Sequence, residues 1–185
     1  MQLLVPIAKD VYGETITPIC NKDQGPFKCV ECGRSLVLKQ GEKTRWHFAH
    51  SSKESKDCSG GGESSVHFAA KLLLEKYINK FIFTSRCPTG NHTFSDQYLD
   101  CTAEKEFRYD GKHSADVAVF RDGILKAIVE VKHSHATTGE SLLSRIEYVG
   151  EENVWEVDAS TVLDLQMDMV TNTSISIDSL LPFED

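Results

Sequence analysis

Four metal-binding side chains lie within residues 29–58, and they constrain the fold of this chain more than any other feature of the sequence. Cys29 and Cys32 have the spacing of a turn in which two thiolates bind one Zn²⁺. His50 and Cys58 follow as third and fourth ligands, with His47 as the alternative to His50. We therefore predict a structural zinc site with all four positions filled by protein.

Length and composition indicate a folded protein with reduced thiols. A chain of 185 residues, 40% of them hydrophobic and 26% charged, has material for one core and a small additional module. With such a core, six cysteines favour metal ligation over a disulfide scaffold. No apolar run approaches the roughly 20 residues of a membrane span. We expect no membrane partner and an intracellular location, cytoplasmic, or nuclear in a eukaryotic host or virus.

The net charge of −8 is concentrated at one end of the chain. After Arg145 there are ten acidic residues and no Lys or Arg, whereas residues 1–145 hold 20 basic and 18 acidic residues. Phosphate binding depends on local patches of charge rather than on the total. The overall charge therefore neither supports nor excludes a nucleic-acid partner.

Hydrophobic periodicity predicts an α/β fold. The predicted elements are short strands within 3–20, a helix from Glu63 to about Phe83, a turn at Cys87–Phe94, an extended segment at Tyr98–Tyr109, a hairpin of Ser114–Phe120 and Ile124–Val131, a helix at Gly139–Val149 and a strand at Val154–Val157. The segment from Thr161 onward is ambiguous between a helix and a strand pair. We predict a zinc-binding module at 1–60, a core at 61–158 and an acidic C-terminal segment at 159–185.

The predicted hairpin carries residues suited to phosphodiester chemistry. Asp116 lies on its first strand, and Glu130 and Lys132 share one face of its second strand. Two carboxylates near a strand end can hold Mg²⁺ or Mn²⁺, which polarises a phosphoryl oxygen and activates a bound water. A nearby ammonium then stabilises developing charge. The alternative is coincidence, since Asp…Glu-x-Lys occurs by chance in many chains.

The helix before the hairpin offers a third carboxylate. Glu63, His67 and Lys71 recur at intervals of four residues, so they lie roughly on one side of that helix. If the helix packs along the sheet, Glu63 can complete the metal site. The simpler reading is that an acid at a helix start complements the helix dipole.

These residues together give the sequence a family resemblance: it resembles the competence protein CoiA-like nucleases over residues 27–158. The matching segments are Phe27-Lys-Cys29-Val-Glu-Cys32-Gly33, Arg45-Trp-His47-Phe-Ala-His50, Cys58, Glu63 with His67 and Lys71, Ala115-Asp116-Val117, Glu130-Val-Lys132 with Ser134, Arg145 with Tyr148, and Val154-Trp155-Glu156-Val157. The His-Phe-Ala-His element after a Cys-x-x-Cys is the more specific part. Ala115 stands where the superfamily has its name-giving proline.

The resemblance implies a zinc-finger-like module joined to a PD-(D/E)XK core, which is a restriction-endonuclease-like mixed β-sheet flanked by helices. By position, Asp116 and Glu130 would bind metal, Lys132 would be the catalytic lysine, and Glu63 the helical acid. His67, Lys71 and Arg145 are then predicted substrate contacts. The implied partner is DNA, with RNA not excluded, in DNA processing or recombination alongside recombination proteins, and a homodimer is left open.

Two other classes of function compete with a metal-dependent nuclease. One is a non-catalytic module of the same fold that binds DNA or a protein. The other is a thiol redox or metal-sensing protein that uses Cys29 and Cys32 as a reactive pair. The helix that should follow a redox Cys-x-x-Cys is replaced by Ser35–Leu38, which has the pattern of a strand and therefore counts against the redox hypothesis.

Overall fold

The computed structural model describes residues 4–51, 58, 60, 62–87, 89, 91–109, 111–132 and 140–181. Over those residues the chain has an α/β fold with three sheets, which confirms the predicted class. The elements are β1 (Ala8–Lys9), β2 (Thr15–Ile16), β3 (Phe27–Lys28), β4 (Ser35–Lys39), β5 (His47–His50), α1 (Gly62–Tyr77), β6 (Phe81–Arg86), β7 (Thr93–Gln97), β8 (Thr102–Arg108), β9 (Ser114–Arg121), β10 (Ile124–Lys132), α2 (Glu140–Val149), β11 (Val154–Asp158), α3 (Ala159–Asp164), α4 (Gln166–Thr171) and β12 (Ile175–Asp178).

The first five strands form a small barrel around their own core. Their order is β2-β1-β3-β4-β5, and the main chain of Val5, just before β1, pairs with Phe48 on β5 through hydrogen bonds of 3.0 and 2.8 Å. This pairing closes the sheet on itself. Phe27, Leu36 and Phe48 fill the interior, where the rings of Phe27 and Phe48 lie 5.1 Å apart. Strand alternation directs the intervening residues outward.

The predicted hairpin is confirmed as β9 and β10 at the centre of a four-stranded sheet of order β11-β10-β9-β8. Asp122 and Gly123 connect the two strands with φ angles of 52° and 75°. A two-residue hairpin turn of type I′ requires positive φ at both of these positions. β8, β9 and β10 are antiparallel, and β11 runs parallel to β10. A parallel neighbour needs a crossover connection, and α2 supplies it.

Helices pack on both faces of this sheet and bury its apolar side chains. α1 contacts β8, β9 and β10 together with α3, whereas α2 contacts β10 and β11. The main core gathers Leu73 and Leu74 of α1, Val129 of β10 and Trp155 of β11. The smaller core on the other face contains Ala118 and Ile128. In the described part of the chain, no helix is both long and apolar enough for a membrane span.

One helix end in the predicted secondary structure is wrong, and one predicted turn is too long by two residues. The helix predicted to reach Phe83 ends at Tyr77, and β6 begins at Phe81. Phe81 and Phe83 are both fully buried while Ile82 is only half-buried, which is the two-residue alternation of a strand. The turn predicted at Cys87–Phe94 falls between the antiparallel strands β6 and β7, but its last two residues, Thr93 and Phe94, belong to β7.

The described part of the acidic C-terminal segment, residues 159–181, contributes to the main core. It forms α3, α4 and β12, and β12 pairs parallel with β6 to give the sheet order β12-β6-β7. Val162, Leu163 and Met169 are buried in the same cluster as the side chains of α1. The division of the chain at residue 158 stays a prediction, but the segment beyond it packs with the core rather than extending from it.

Candidate functional site

The structure brings the four preferred zinc ligands together at one end of the barrel. The ligand atoms of Cys29, Cys32, His50 and Cys58 all lie within 4.8 Å of one another. Cys29 Sγ is 3.7 Å from Cys58 Sγ, and Cys32 Sγ is 3.4 Å from His50 Nε2. For zinc bonded to sulfur at about 2.3 Å and to nitrogen at about 2.0 Å, tetrahedral coordination puts such pairs about 3.5–3.8 Å apart. The cluster can therefore hold Zn²⁺.

A tight turn produces the spacing of the two paired cysteines. Gly33 has a φ of 69°, a left-handed conformation that glycine adopts without penalty. The turn is closed by hydrogen bonds from Gly33 N to the Cys29 carbonyl and from Cys29 N to the Arg34 carbonyl, each 2.9 Å long. Both thiols are thereby directed towards His50.

The two histidines of β5 lie on opposite faces of the barrel wall. His50 pairs with Leu36, whose side chain is interior, whereas His47 pairs with Lys39, whose side chain is exterior. His47 Nδ1 lies 2.9 Å from the carbonyl oxygen of Arg45. The structure thus supports the preference for His50 over His47, for the reason that strand alternation gives.

The candidate zinc thiols differ in acidity. A main-chain hydrogen bond from Arg34 is the largest influence on Cys32, and the pKa of its thiol falls from 9.0 to about 7. Burial is the largest influence on Cys58, and its pKa rises to about 12. Zinc requires thiolates, so binding would release a proton from Cys58 at neutral pH.

Asp116 and Glu130 meet where β9 and β10 separate. Pairing of the two strands, with a register shift between Leu125 and Ala127, runs as far as Val117 opposite Val129. Beyond that pair each carboxylate accepts a main-chain N–H of the opposite strand: Asp116 N lies 3.3 Å from Glu130 Oε1, and Val131 N lies 2.9 Å from Asp116 Oδ2. We call this place the fork. The two acids predicted to form a metal site therefore each reach the main chain of the neighbouring strand at the same point of the sheet.

Two basic side chains of α1 reach Asp116 at the fork. His67 Nε2 lies 3.1 Å from Asp116 Oδ2, and Lys71 Nζ lies 3.3 Å from Asp116 Oδ1. Burial alone would raise the pKa of Asp116, but the hydrogen bonds from His67 and the Val131 N–H, with the charges of His67 and Lys71, outweigh it and lower that pKa. Asp116 is thus held as a carboxylate.

The carboxylate of Glu130 is paired with the guanidinium of Arg145 on α2. Arg145 Nε lies 2.7 Å from Glu130 Oε1, and both side chains are less than a tenth exposed. The guanidinium also contacts the Ser141 hydroxyl and donates to the carbonyls of Ser141 and Ser114, at 2.6 and 3.2 Å. Burial raises the pKa of Glu130, and the bond to Arg145 offsets part of that effect.

The other predicted site residues differ in their burial and in their contacts near the fork. Lys132 follows Glu130 by two residues on β10 and is half-buried. Glu63 lies in the first turn of α1, but its side chain falls outside the described residues. Lys71 and Arg145 are buried in ion pairs with carboxylates, so their predicted contact with substrate stays a prediction.

Sequence reasoning missed Glu106, which sits opposite Asp116 on the neighbouring strand. It lies between the pairs Lys105–Val117 and Phe107–Ala115, and its carboxylate contacts Lys71 Nζ. Its φ of 56° is left-handed, a conformation that costs a non-glycine residue free energy and recurs at functional sites. Glutamate is not a residue that favours this conformation, so no local pattern could have indicated it.

The conformation of Glu106 coincides with a change of side on both strands. On β8, Ala103 packs in the main core, whereas Phe107 packs in the smaller core on the opposite face. On β9, Ala115 and Ala118 share that smaller core although they are three residues apart. In a regular strand, Ala103 and Phe107 would lie on the same face, and Ala115 and Ala118 would lie on opposite faces. The irregularity allows Asp116 to face Lys71 of α1.

Comparison with known proteins bears on the barrel. Residues 14–60 match the family model for the N-terminal domain of the competence protein CoiA. The matched segment contains all four candidate zinc ligands and ends before α1. No match was found among curated proteins or among solved structures. The family likeness is thus supported for residues 14–60, which include the candidate zinc ligands, and the fork lies outside the match.

The contact between His67 and Asp116 predicts a pH dependence of stability, which is to be measured without added Mg²⁺ or Mn²⁺. The hydrogen bond to Asp116, partly opposed by burial, raises the pKa of His67 above 6.5. The contact should therefore stabilise the fold fully below about pH 6.5 and lose its effect as pH rises through the folded pKa. A histidine-resolved NMR titration checks this. In Asp116→Asn the His67 midpoint should fall, and an unchanged midpoint would contradict the assignment.

Proposed function

We propose that this protein is a divalent-metal-dependent nuclease that hydrolyses phosphodiester bonds in DNA. The observation that carries the proposal is the fork, where Asp116 and Glu130 each accept a main-chain N–H of the neighbouring strand, with Asp116 in contact with α1 on one face of the sheet and Glu130 with α2 on the other. Lys132 follows on the same strand face as Glu130. Acids and an ammonium arranged in this way suit metal-assisted attack on a phosphate.

In this proposal each side chain at the fork has a defined task. Asp116 and Glu130, with Glu63 of α1, would hold Mg²⁺ or Mn²⁺, which supplies Lewis-acid polarisation and a more acidic bound water. Lys132 would stabilise charge developing on the phosphate. Lys71 and His67 keep Asp116 ionised, and Arg145 orients Glu130 by its contact with Oε1.

The order of the elements supports a PD-(D/E)XK-type core. α1 precedes the antiparallel strands β8, β9 and β10, and α2 then crosses to the parallel strand β11. The result is a mixed sheet with helices on both faces, as the family resemblance implies. The carboxylates lie on the two central strands of that sheet.

The zinc-binding module points to the biological setting. Its match to the CoiA N-terminal domain favours DNA processing or recombination as the process served. Since the chain supplies three cysteines and one histidine, we propose that zinc is structural and that chemistry is confined to the fork.

A non-catalytic binding module is the second candidate, and one observation favours it. Asp116 and Glu130 both have internal partners: His67 and Lys71 for the first, Arg145 for the second. Acids neutralised in this way are also found where ion pairs serve only the fold. Under this alternative the protein would bind DNA or a recombination protein without cleaving it.

Digestion of matched substrates tests the proposal. Single-stranded, duplex and branched DNA, and the corresponding RNA, are incubated with Mn²⁺ or Mg²⁺. We expect metal-dependent cleavage of at least one DNA substrate and its loss in Asp116→Asn and Glu130→Gln. Lys126→Gln, a change on β10 near the hairpin turn, is the matched control and should retain activity. DNA binding without cleavage under either metal would favour the binding module.

A further inference from the structure

The outer face of the barrel carries four hydrogen-bond donors in a line across four adjacent strands. Thr15 on β2 is paired with Lys9 on β1, Lys9 with Lys28 on β3, and Lys28 with Ser35 on β4. Directly paired residues share a face of a sheet. We call these the donor row: Thr15, Lys9, Lys28 and Ser35. Lys28 and Ser35 are exposed and the other two are half-buried.

Two positive charges face each other at the centre of the donor row. Lys9 and Lys28 are direct cross-strand partners, and like charges in that position destabilise a sheet. On the outer face of β1–β4 the described strand positions hold one further charged residue, Lys39, and no acid. Asp10 is buried, and its Oδ1 accepts the main-chain N–H of Tyr12 and of Glu14 at 2.9 Å each. An external anion would relieve this repulsion.

The spacing of the donor row fits a chain of phosphates. Strands in a sheet lie about 4.8 Å apart, so four adjacent strands spread the donors over about 14 Å. A nucleic-acid strand presents one phosphate per about 3.4 Å of its axis, so several phosphates fall within that reach. Hydroxyl and ammonium groups are both common donors to phosphate oxygens. We propose that the donor row binds the phosphate backbone of a nucleic-acid strand.

This proposal deepens the proposed function, because it assigns the barrel a role in holding the substrate that the fork would cut. It does not depend on catalysis. The donor row lies on the outer wall of the barrel, whereas the candidate zinc cluster adjoins the interior core, so neutralising the lysines leaves the zinc ligands in place. Binding through the row carries no sequence information, since it contacts phosphates rather than bases.

Salt-dependent binding tests the inference. A short labelled DNA strand and its duplex are titrated with the full chain, without added Mg²⁺ or Mn²⁺, between about 50 and 200 mM salt. Each lost phosphate contact reduces the slope of log K against log salt by about 0.9 for duplex and about 0.7 for single strands. In Lys9→Gln/Lys28→Gln we expect the slope to fall by about 1.8 or 1.4, respectively. Lys9→Arg/Lys28→Arg should retain it.

Two controls make the outcome decisive. Lys126→Gln removes a lysine from β10 and should leave the slope unchanged, and zinc content should be the same in every variant. An unaltered slope in the double Gln variant, or an equal loss in Lys126→Gln, would overturn the proposal. Equal displacement of DNA by polyglutamate would overturn the choice of nucleic acid over an acidic protein. If the double Gln variant shows the reduced slope but the unaltered protein cuts no substrate, the donor row is upheld and only the nuclease proposal is rejected.

Discussion

Removal of zinc should unfold the barrel while leaving the central sheet folded. A structural zinc ion contributes about 10–16 kcal/mol of apparent binding free energy in small zinc-finger peptides at neutral pH. The barrel core of this protein is small, and Cys29 and Cys58 are packed against it. We therefore expect Cys32→Ser or a strong chelator to have the largest effect on stability of any single change.

The two tryptophans allow this prediction to be measured in each part of the molecule. Trp46 precedes β5 of the barrel, and Trp155 lies on β11 in the main core. In Trp155→Phe, chelation should shift the remaining emission strongly, whereas in Trp46→Phe it should change little. Cys20→Ser is the matched control, because Cys20 borders the barrel core but lies outside the metal cluster. If the purified protein contains no zinc and its emission does not change when chelator is added, a structural zinc site is contradicted.

Replacing Arg145 by Met should destabilise the protein by about 3–5 kcal/mol near neutral pH, because it leaves Glu130 buried without its counter-ion. Burial already raises the pKa of Glu130, and without the guanidinium it should rise further. A carboxyl group with a raised folded pKa stabilises the fold below the unfolded glutamate pKa of about 4.3 and loses that contribution as pH rises through the folded value. The cost should therefore grow with pH.

Urea unfolding at about pH 5 and about pH 8 measures this cost. The Glu130→Gln/Arg145→Met double variant removes both charges, and it should recover most of the stability lost in Arg145→Met because no buried charge remains. A penalty below about 1 kcal/mol that does not vary with pH would show that the pair contributes as an exposed ion pair would. Both variants keep α2 intact, since Met favours helices as well as Arg does.

Local patterns in the sequence predicted the parts of the site that depend on neighbours along the chain. The alternation of Val117 and Val119, with Asp122-Gly123 between two apolar runs, predicted β9 and β10. The Cys-x-x-Cys spacing and the position of His50 predicted the metal cluster. In each case the residues that determine the geometry lie within about 30 residues of one another along the chain.

Features that depend on distant parts of the chain could not be predicted. β6 forms beside β12, about 90 residues further on, and its apolar residues continue the helical spacing of α1 up to Phe81. The pattern therefore favoured a longer helix. The charge balance of the fork was also hidden, because Lys71 and Arg145 look like surface residues in the sequence and become buried when α1 and α2 pack on opposite faces of the sheet.

The central claim is that Asp116 and Glu130 jointly hold a divalent cation. Anomalous diffraction from crystals soaked in Mn²⁺ tests it most directly, since manganese is located independently of any activity. We expect an anomalous peak at the fork within ligand distance of both carboxylates, about 2.0–2.3 Å, and its loss in Glu130→Gln. Manganese that appears only on surface acids, with Arg145 still paired to Glu130, would contradict the claim.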